Sequence, residues 1–228
     1  MFPLRDTIPS QSFPIVTLFL IITNGIIFIY ELSLGPVLDQ FLNNFGVIPV
    51  FYTRALQENP LQVIAGIIPI FSSIFLHGGW LHVISNMWFL WIFGDNVEDR
   101  TGHFRFLLFY LLCGVLATLA HIMANPLSTV PTIGASGAIA GVMGAYFILY
   151  PRAKIVTLIF IFIFIQIIEI PALFFLGFWV ILQILSGTLS TGLTNESGGV
   201  AWWAHIAGFF TGLLLIFVFK RSKRKGLI

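Results

Sequence analysis

Long apolar runs separated by short polar ones dominate the chain. Phe13–Tyr30, Leu76–Phe93, Phe104–Ala124, Thr132–Tyr150, Ala172–Leu189 and Ala201–Phe219 each approach the roughly 20 residues a helix needs to cross a hydrocarbon core of about 30 Å. They predict six membrane-spanning helices. A seventh apolar run, Ile155–Ile170, is shorter. The connection Ser33–Phe75 carries Pro36, Pro49, Pro60 and Pro69. Its Ile64–Phe75 part is apolar but broken by Pro69, which predicts a segment that dips into one leaflet without crossing, its backbone covered by protein. Phe13–Tyr30 lacks a small-x-small site at its end and runs into Glu31-Leu32-Ser33-Leu34, unlike a secretory signal peptide. No repeat, low-complexity tract or linker divides residues 1–228. The expected fold is therefore a single all-α polytopic bundle with a long, partly membrane-embedded first loop. The tails are short, which predicts neither an added soluble domain nor a seventh span.

Composition narrows the function classes. Of 228 residues, 58% are hydrophobic and 9% charged, where a soluble domain carries about 25% charged residues. That excludes a soluble globular enzyme, a disordered chain and a nucleic-acid binder. The net charge of +2 hides an uneven distribution. With six spans and a cytoplasmic N-terminus, Arg5, Arg100, Arg105, Arg152, Lys154, Lys220, Arg221, Lys223, Arg224 and Lys225 all lie inside, and only Arg54 outside. A seventh span would carry the 220–225 basic run across the membrane. Ile155–Ile170 is therefore expected to be a connection in the interface or folded back on the bundle, and both termini to be cytoplasmic. A single cysteine, Cys113, excludes an intramolecular disulfide and a thiolate metal cluster.

Polar side chains inside spans are costly, so each is a functional hypothesis. They are Asn24, His82, Ser85, Asn86, His121, Ser136, Gln183 and His205, with His77 at a span entrance. Ser136 lies in Gly134-Ala-Ser136-Gly137 at the outer end of the fourth span. It is not the elbow of a soluble hydrolase, because alanine follows where that pattern needs glycine and no strand precedes it. Gly137, Gly141 and Ala145 form a small-residue stripe, as do Ala204, Gly208 and Gly212 on the sixth span. Such stripes let helix backbones approach closely. In a six-span chain the fourth and sixth helices run the same way, so Ser136 and His205 share a depth. A serine hydroxyl is a poor nucleophile without an adjacent base, and histidine can be that base. Glu169 and Glu196 are the nearest carboxylates and neither lies in a span at that depth, so the pair would be a dyad. The alternative is two polar residues that merely pack helices together.

His82 and Asn86 stand four residues apart on one helix face and both can donate hydrogen bonds. Aimed at a developing negative oxygen, such donors form an oxyanion hole. The bland alternative is a satisfied interhelical contact. A metal site built from His77, His82, His205 and Asn86 is disfavoured, since no His-Glu-x-x-His and no nearby carboxylate accompanies them.

Three motifs together, His77-Gly-Gly-Trp-Leu-His82-Val-Ile-Ser-Asn86, Gly134-Ala-Ser136-Gly137 and Ala204-His205-Ile-Ala-Gly208-Phe-Phe-Thr-Gly212, resemble those of the rhomboid intramembrane serine proteases in order, spans and spacing. The resemblance covers about residues 13–219. It implies that Ser136 is the nucleophile, that His205 is the general base and that His82 and Asn86 stabilise the oxyanion. Gly134, Gly137, Gly141, Gly208 and Gly212 would support helix packing. It also implies cleavage of other membrane proteins in or near their transmembrane segments, without metal or cofactor. Val97-Glu98-Asp99-Arg100 is family-like too, with Glu98 and Arg100 expected as an ion pair or loop cap. Two positions depart from the pattern. Ala140 stands where some members carry a tyrosine that stacks on the histidine, which leaves the support of His205 open. The Trp-Arg pair some members carry in the first loop is missing, Tyr52-Thr53-Arg54 being nearest.

Hydrolysis in a membrane needs a water-filled cavity open to the outer side, and a substrate helix must unwind before attack. Ala172–Leu189 is a candidate gate and Thr191–Val200, polar and Gly-rich, a candidate lid, although Phe174, Phe175, Phe178 and Trp179 suit ordinary packing or lipid contact. The partners expected are transmembrane proteins and the bilayer, and a bare six-span core suits a prokaryotic plasma membrane. A catalytically inactive relative that binds transmembrane helices is the main alternative. A transporter would be expected to show an internal repeat or a mid-membrane acid, and neither is present.

Overall fold

The computed structural model describes residues 1–161, 164–190 and 200–221. The helices that follow the six apolar runs are α1 (Ile15–Ser33), α5 (Trp80–Thr101), α6 (His103–Ala124), α7 (Ser136–Leu149), α8 (Ala172–Ser190) and α9 (Trp202–Phe219). α1, α6, α8 and α9 are each long and apolar enough to cross a membrane alone. α5 meets that test together with Pro60–Phe75, from which it is bent by 79°. The fourth predicted span is the exception in length. α7 has 14 residues, about 21 Å at 1.5 Å per residue.

The long first loop folds into α2 (Leu38–Phe45), α3 (Pro49–Glu58), a 3₁₀ segment at Pro60–Gly66 and α4 (Ile67–Ser72). Leu61, Ile64, Ile68 and Phe71 are exposed on it, as a partly embedded loop requires. Tyr52 and Thr53 anchor α3. The Tyr52 hydroxyl donates to the Gly66 carbonyl at 2.7 Å and Thr53 Oγ1 to that of Pro126 at 2.9 Å.

Strands add to the expected all-helical bundle. The described residues of Ile155–Ile170 form strands rather than a helix. They lie in an antiparallel hairpin of β2 (Lys154–Ile161) and β3 (Phe164–Pro171), with Lys154 and Glu169 paired at 2.7 Å near its base. The run is rich in isoleucine and phenylalanine, which favour a pleated backbone. The N-terminal tail supplies a third strand, β1 (Phe2–Asp6), on the free edge of β2. Trp88 of α5 donates its indole N–H to the Pro3 carbonyl at 2.7 Å. Asp6 accepts from the Tyr146 hydroxyl at 2.5 Å and from the Asn96 amide at 2.9 Å.

α7 is the centre of the bundle, with every residue from Gly137 to Tyr146 buried. It has no charged residue, and its small side chains let neighbours reach its backbone. Cβ atoms placed on Gly208 and Gly212 of α9 would overlap the carbonyls of Gly137 and Gly141. On the α6 side, a Cβ on Gly137 would stand 2.7 Å from the Ala117 Cβ, and one on Gly141 2.5 Å from that of Cys113, which is fully buried there.

Glu98, near the end of α5, caps α1. Pro14 at the N-cap offers no side-chain acceptor, and the first-turn amides of a helix need one. The Glu98 carboxylate accepts from the Val16 and Thr17 amides at 2.9 and 2.8 Å and from the Thr17 hydroxyl at 2.7 Å. His103 Nδ1, at 2.5 Å, is its side-chain partner rather than Arg100. Asp99 continues the cap on the Gln11 and Ser12 amides.

Candidate active site

Ser136 is the first residue of α7, so its backbone N–H has no partner within the helix. The segment that delivers it is stitched to the first loop. Val47 and Thr132 exchange backbone hydrogen bonds at 3.1 and 2.7 Å, and the Gly134 amide donates to the Ser73 carbonyl at 2.8 Å. His205 lies in the first turn of α9. The close α7–α9 contact at Gly137 and Gly208 brings the two side chains together, with Ser136 Oγ 2.8 Å from His205 Nε2.

The other ring nitrogen of His205 meets a residue whose only signal in the sequence is its polarity within an apolar span. Its Nδ1 lies 2.8 Å from Oε1 of Gln183, on α8. Gln183 is buried, and its amide nitrogen faces the Trp179 carbonyl at 3.4 Å. The Trp179 and Trp202 rings flank the imidazole, with centroids 6.0 and 6.2 Å away. Ala140 is buried against α9 and offers no ring. The signal for Gln183 in the sequence is its amide in an otherwise apolar span. Nothing local pairs it with a histidine 22 positions later.

His82, in the first turn of α5, approaches from the opposite side. Its Nδ1 accepts from the Gly78 amide at 3.3 Å, which leaves the proton of the neutral ring on Nε2. That nitrogen faces Gly134. Gly134 has φ +127° and stands before the helix, so it serves a turn and a close approach to His82 rather than the helix-packing stripe. Asn86, one turn further along α5, is buried and its Nδ2 has no hydrogen-bond partner among the described residues. A cavity of about 20 Å³ adjoins Ser136, lined by Ser73, Thr118, Thr132 and Gly134 among others, and has room for about one water.

The aromatic residues of α8 divide. Phe174 and Phe178 are exposed on the bundle surface, Phe175 is buried, and Trp179 contacts His205. The candidate lid, Thr191–Val200, lies outside the described residues except for Val200. Among the described residues no group of three or more His, Cys, Asp or Glu could hold a metal ion.

Comparison with known proteins identifies the family. A family model described as "Rhomboid domain" matches residues 65–222. The chain is 29% identical to Rhomboid-like protein 11, chloroplastic, of Arabidopsis thaliana, covering 87% of this chain and 66% of that protein. It is 28% identical to Rhomboid protein 1, mitochondrial, of Saccharomyces cerevisiae, covering 64% of this chain and 40% of that one. Rhomboid protease GluP of Bacillus subtilis is 34% identical over 52% of this chain and 21% of its own length. The chain thus spans less than two thirds of each of these relatives. A family match that runs from the end of the first loop through α9, and so takes in α5, α7 and α9 together, makes this polytopic membrane protein a member of the rhomboid family.

Proposed function

We propose that the protein is an intramembrane serine endopeptidase that cleaves transmembrane segments of other membrane proteins. The observation that carries it is the 2.8 Å contact between Ser136 Oγ and His205 Nε2. Ser136 attacks the scissile carbonyl while His205 Nε2 takes the hydroxyl proton and later returns it to the leaving amine. Water then hydrolyses the acyl-enzyme with the same histidine as base. The Ser136 amide, His82 Nε2–H and the Asn86 amide are the proposed donors to the oxyanion. The unpartnered Asn86 Nδ2 and the tautomer set by Gly78 support their assignment as donors.

Ser136 opens a helix about 21 Å long, against a hydrocarbon core of about 30 Å. That difference supports a hydroxyl held within the thickness of the membrane. The distribution of basic residues supports a cytoplasmic side for both termini in this proposal, with Ser136 toward the opposite face.

The test is labelling of the purified protein in detergent with a fluorophosphonate probe, which requires no knowledge of the substrate. Wild type is expected to label, and Ser136→Ala and His205→Ala to lose labelling. A folded wild type that does not label, or a Ser136→Ala variant that still does, overturns the proposal in favour of an inactive binder of transmembrane helices.

A further inference from the structure

We propose that Gln183 is a positioning residue that holds His205 in the tautomer a base needs, making the site a hydrogen-bonded Ser136–His205–Gln183 chain spread over three helices. The inference rests on Ser136 and His205 acting as proposed above. Its starting point is the orientation of the Gln183 amide. The Trp179 carbonyl can only accept a hydrogen bond, so the side-chain nitrogen of Gln183, 3.4 Å away, is the end that faces it. The opposite end, Oε1, then faces His205 Nδ1 at 2.8 Å. An amide oxygen can only accept, so Nδ1 must carry the proton. In a neutral imidazole that leaves Nε2 with its lone pair directed at Ser136 Oγ. A ring with the proton on Nε2 would present Ser136 with a donor and could not take its proton.

Among the described residues, the other contacts to His205 do not supply this selection. Trp179 and Trp202 limit the ring's tilt, but an aromatic face does not distinguish the two tautomers. Ala140 contributes no polar atom. Gln183 also orients the ring without introducing a charge, since a carboxylate at this depth would be costly. Because Gln183 is carried by α8, while Ser136 and His205 are on the closely packed α7 and α9, the histidine keeps its tautomer only while α8 is seated against them.

The test compares wild type with Gln183→Leu, similar in size but without an acceptor, and Gln183→Glu, similar in size with one. Each is purified in detergent, with a thermal melt as a check of folding. Labelling by the fluorophosphonate probe is expected to fall by about 10- to 100-fold in Gln183→Leu and to recover substantially in Gln183→Glu. Histidine ¹⁵N chemical shifts provide an independent readout, with His205 assigned by its loss in His205→Ala. Wild type, and equally Ser136→Ala, is expected to show the Nδ1–H form, and Gln183→Leu to lose it. An Nε2–H form in wild type overturns the proposal, as does a Gln183→Leu variant that labels like wild type or a Gln183→Glu variant no better than Gln183→Leu. Should Gln183→Leu fail to fold, the wild-type tautomer still decides. The tautomer is read without any labelling, so failure of the serine–histidine chemistry is distinguishable from failure of this contact.

Discussion

Gly134 and His82 compete for the same few ångströms: a Cβ on Gly134 would stand 2.6 Å from His82 Nε2 and 3.6 Å from Ser136 Oγ. The glycine also holds φ +127°, where an L side chain is strained by about 1–3 kcal/mol. Gly134→Ala is therefore expected to displace His82 and the turn leading to Ser136 while leaving the bundle assembled. Fluorophosphonate labelling should fall at least tenfold, with a drop in melting temperature no larger than that strain gives, roughly 2–12 °C. Unchanged labelling would show that the turn tolerates a side chain and that His82 need not stand against it.

The α7–α9 seam makes a different prediction. A Cβ on Gly208 overlaps the Gly137 carbonyl oxygen, which is backbone and cannot move aside. Gly208→Ala must push α9 away from α7, at a cost of about 1–3 kcal/mol typical of overpacking. The same shift separates Ser136 from His205, so stability and labelling should fall together. Ala204, already a small residue on the same stripe, should tolerate glycine far better. Melting curves and labelling of Gly208→Ala and Ala204→Gly would check both halves.

Much of this arrangement is legible from the chain, and the parts that are not share a cause. An apolar run of 18 or more residues has one solution in lipid, a helix, so α1, α6, α8 and α9 stand where hydropathy puts them. Ser136 and His205 could be paired because topology equalises their depth. The β2–β3 hairpin could not be read in the same way. A short run that is apolar at nearly every position carries neither a helical nor an alternating period. β1 depends on pairing Phe2 with Leu158, a partner far away in sequence. Gln183 was visible as an anomaly, but its partner is set by how α8 packs on α9.

Glu98 concentrates several interactions in one carboxylate, receiving two backbone amides, a hydroxyl and the His103 ring. Removing it leaves the first turn of α1 without an acceptor. Glu98→Ala is expected to destabilise the protein by about 1–3 kcal/mol, the range for leaving buried helix-end donors without an acceptor. His103→Ala removes only a partly exposed partner and should cost about 1 kcal/mol or less. A detergent melt in which both variants lose the same amount would place the strength of this junction in the His103 contact rather than in the helix cap.

Asp6 joins the N-terminal strand to the core, and it does so with a carboxyl whose pKa is raised above the usual 3.8, chiefly because burial disfavours its charge. The hydrogen bond from Tyr146 and the nearby Arg5 charge oppose that rise without cancelling it. The sign of the pH effect follows. A carboxyl raised in the folded state supports folding fully below its unfolded value, and that support is lost as pH climbs through the folded value. Asp6→Asn remains neutral throughout and keeps an oxygen for Tyr146 and Asn96. Its stability relative to wild type should therefore increase as pH rises from about 3.8, then level off once the wild-type carboxyl is ionised. Asp6→Ala leaves the Tyr146 hydroxyl without its acceptor, while Asn96 keeps Asp95 and the Ile8 carbonyl, and should be less stable than Asp6→Asn at every pH, by about 1–3 kcal/mol. Melts of the three proteins across that range would check the sign, and a wild-type advantage over Asp6→Asn that grows with pH would reverse it.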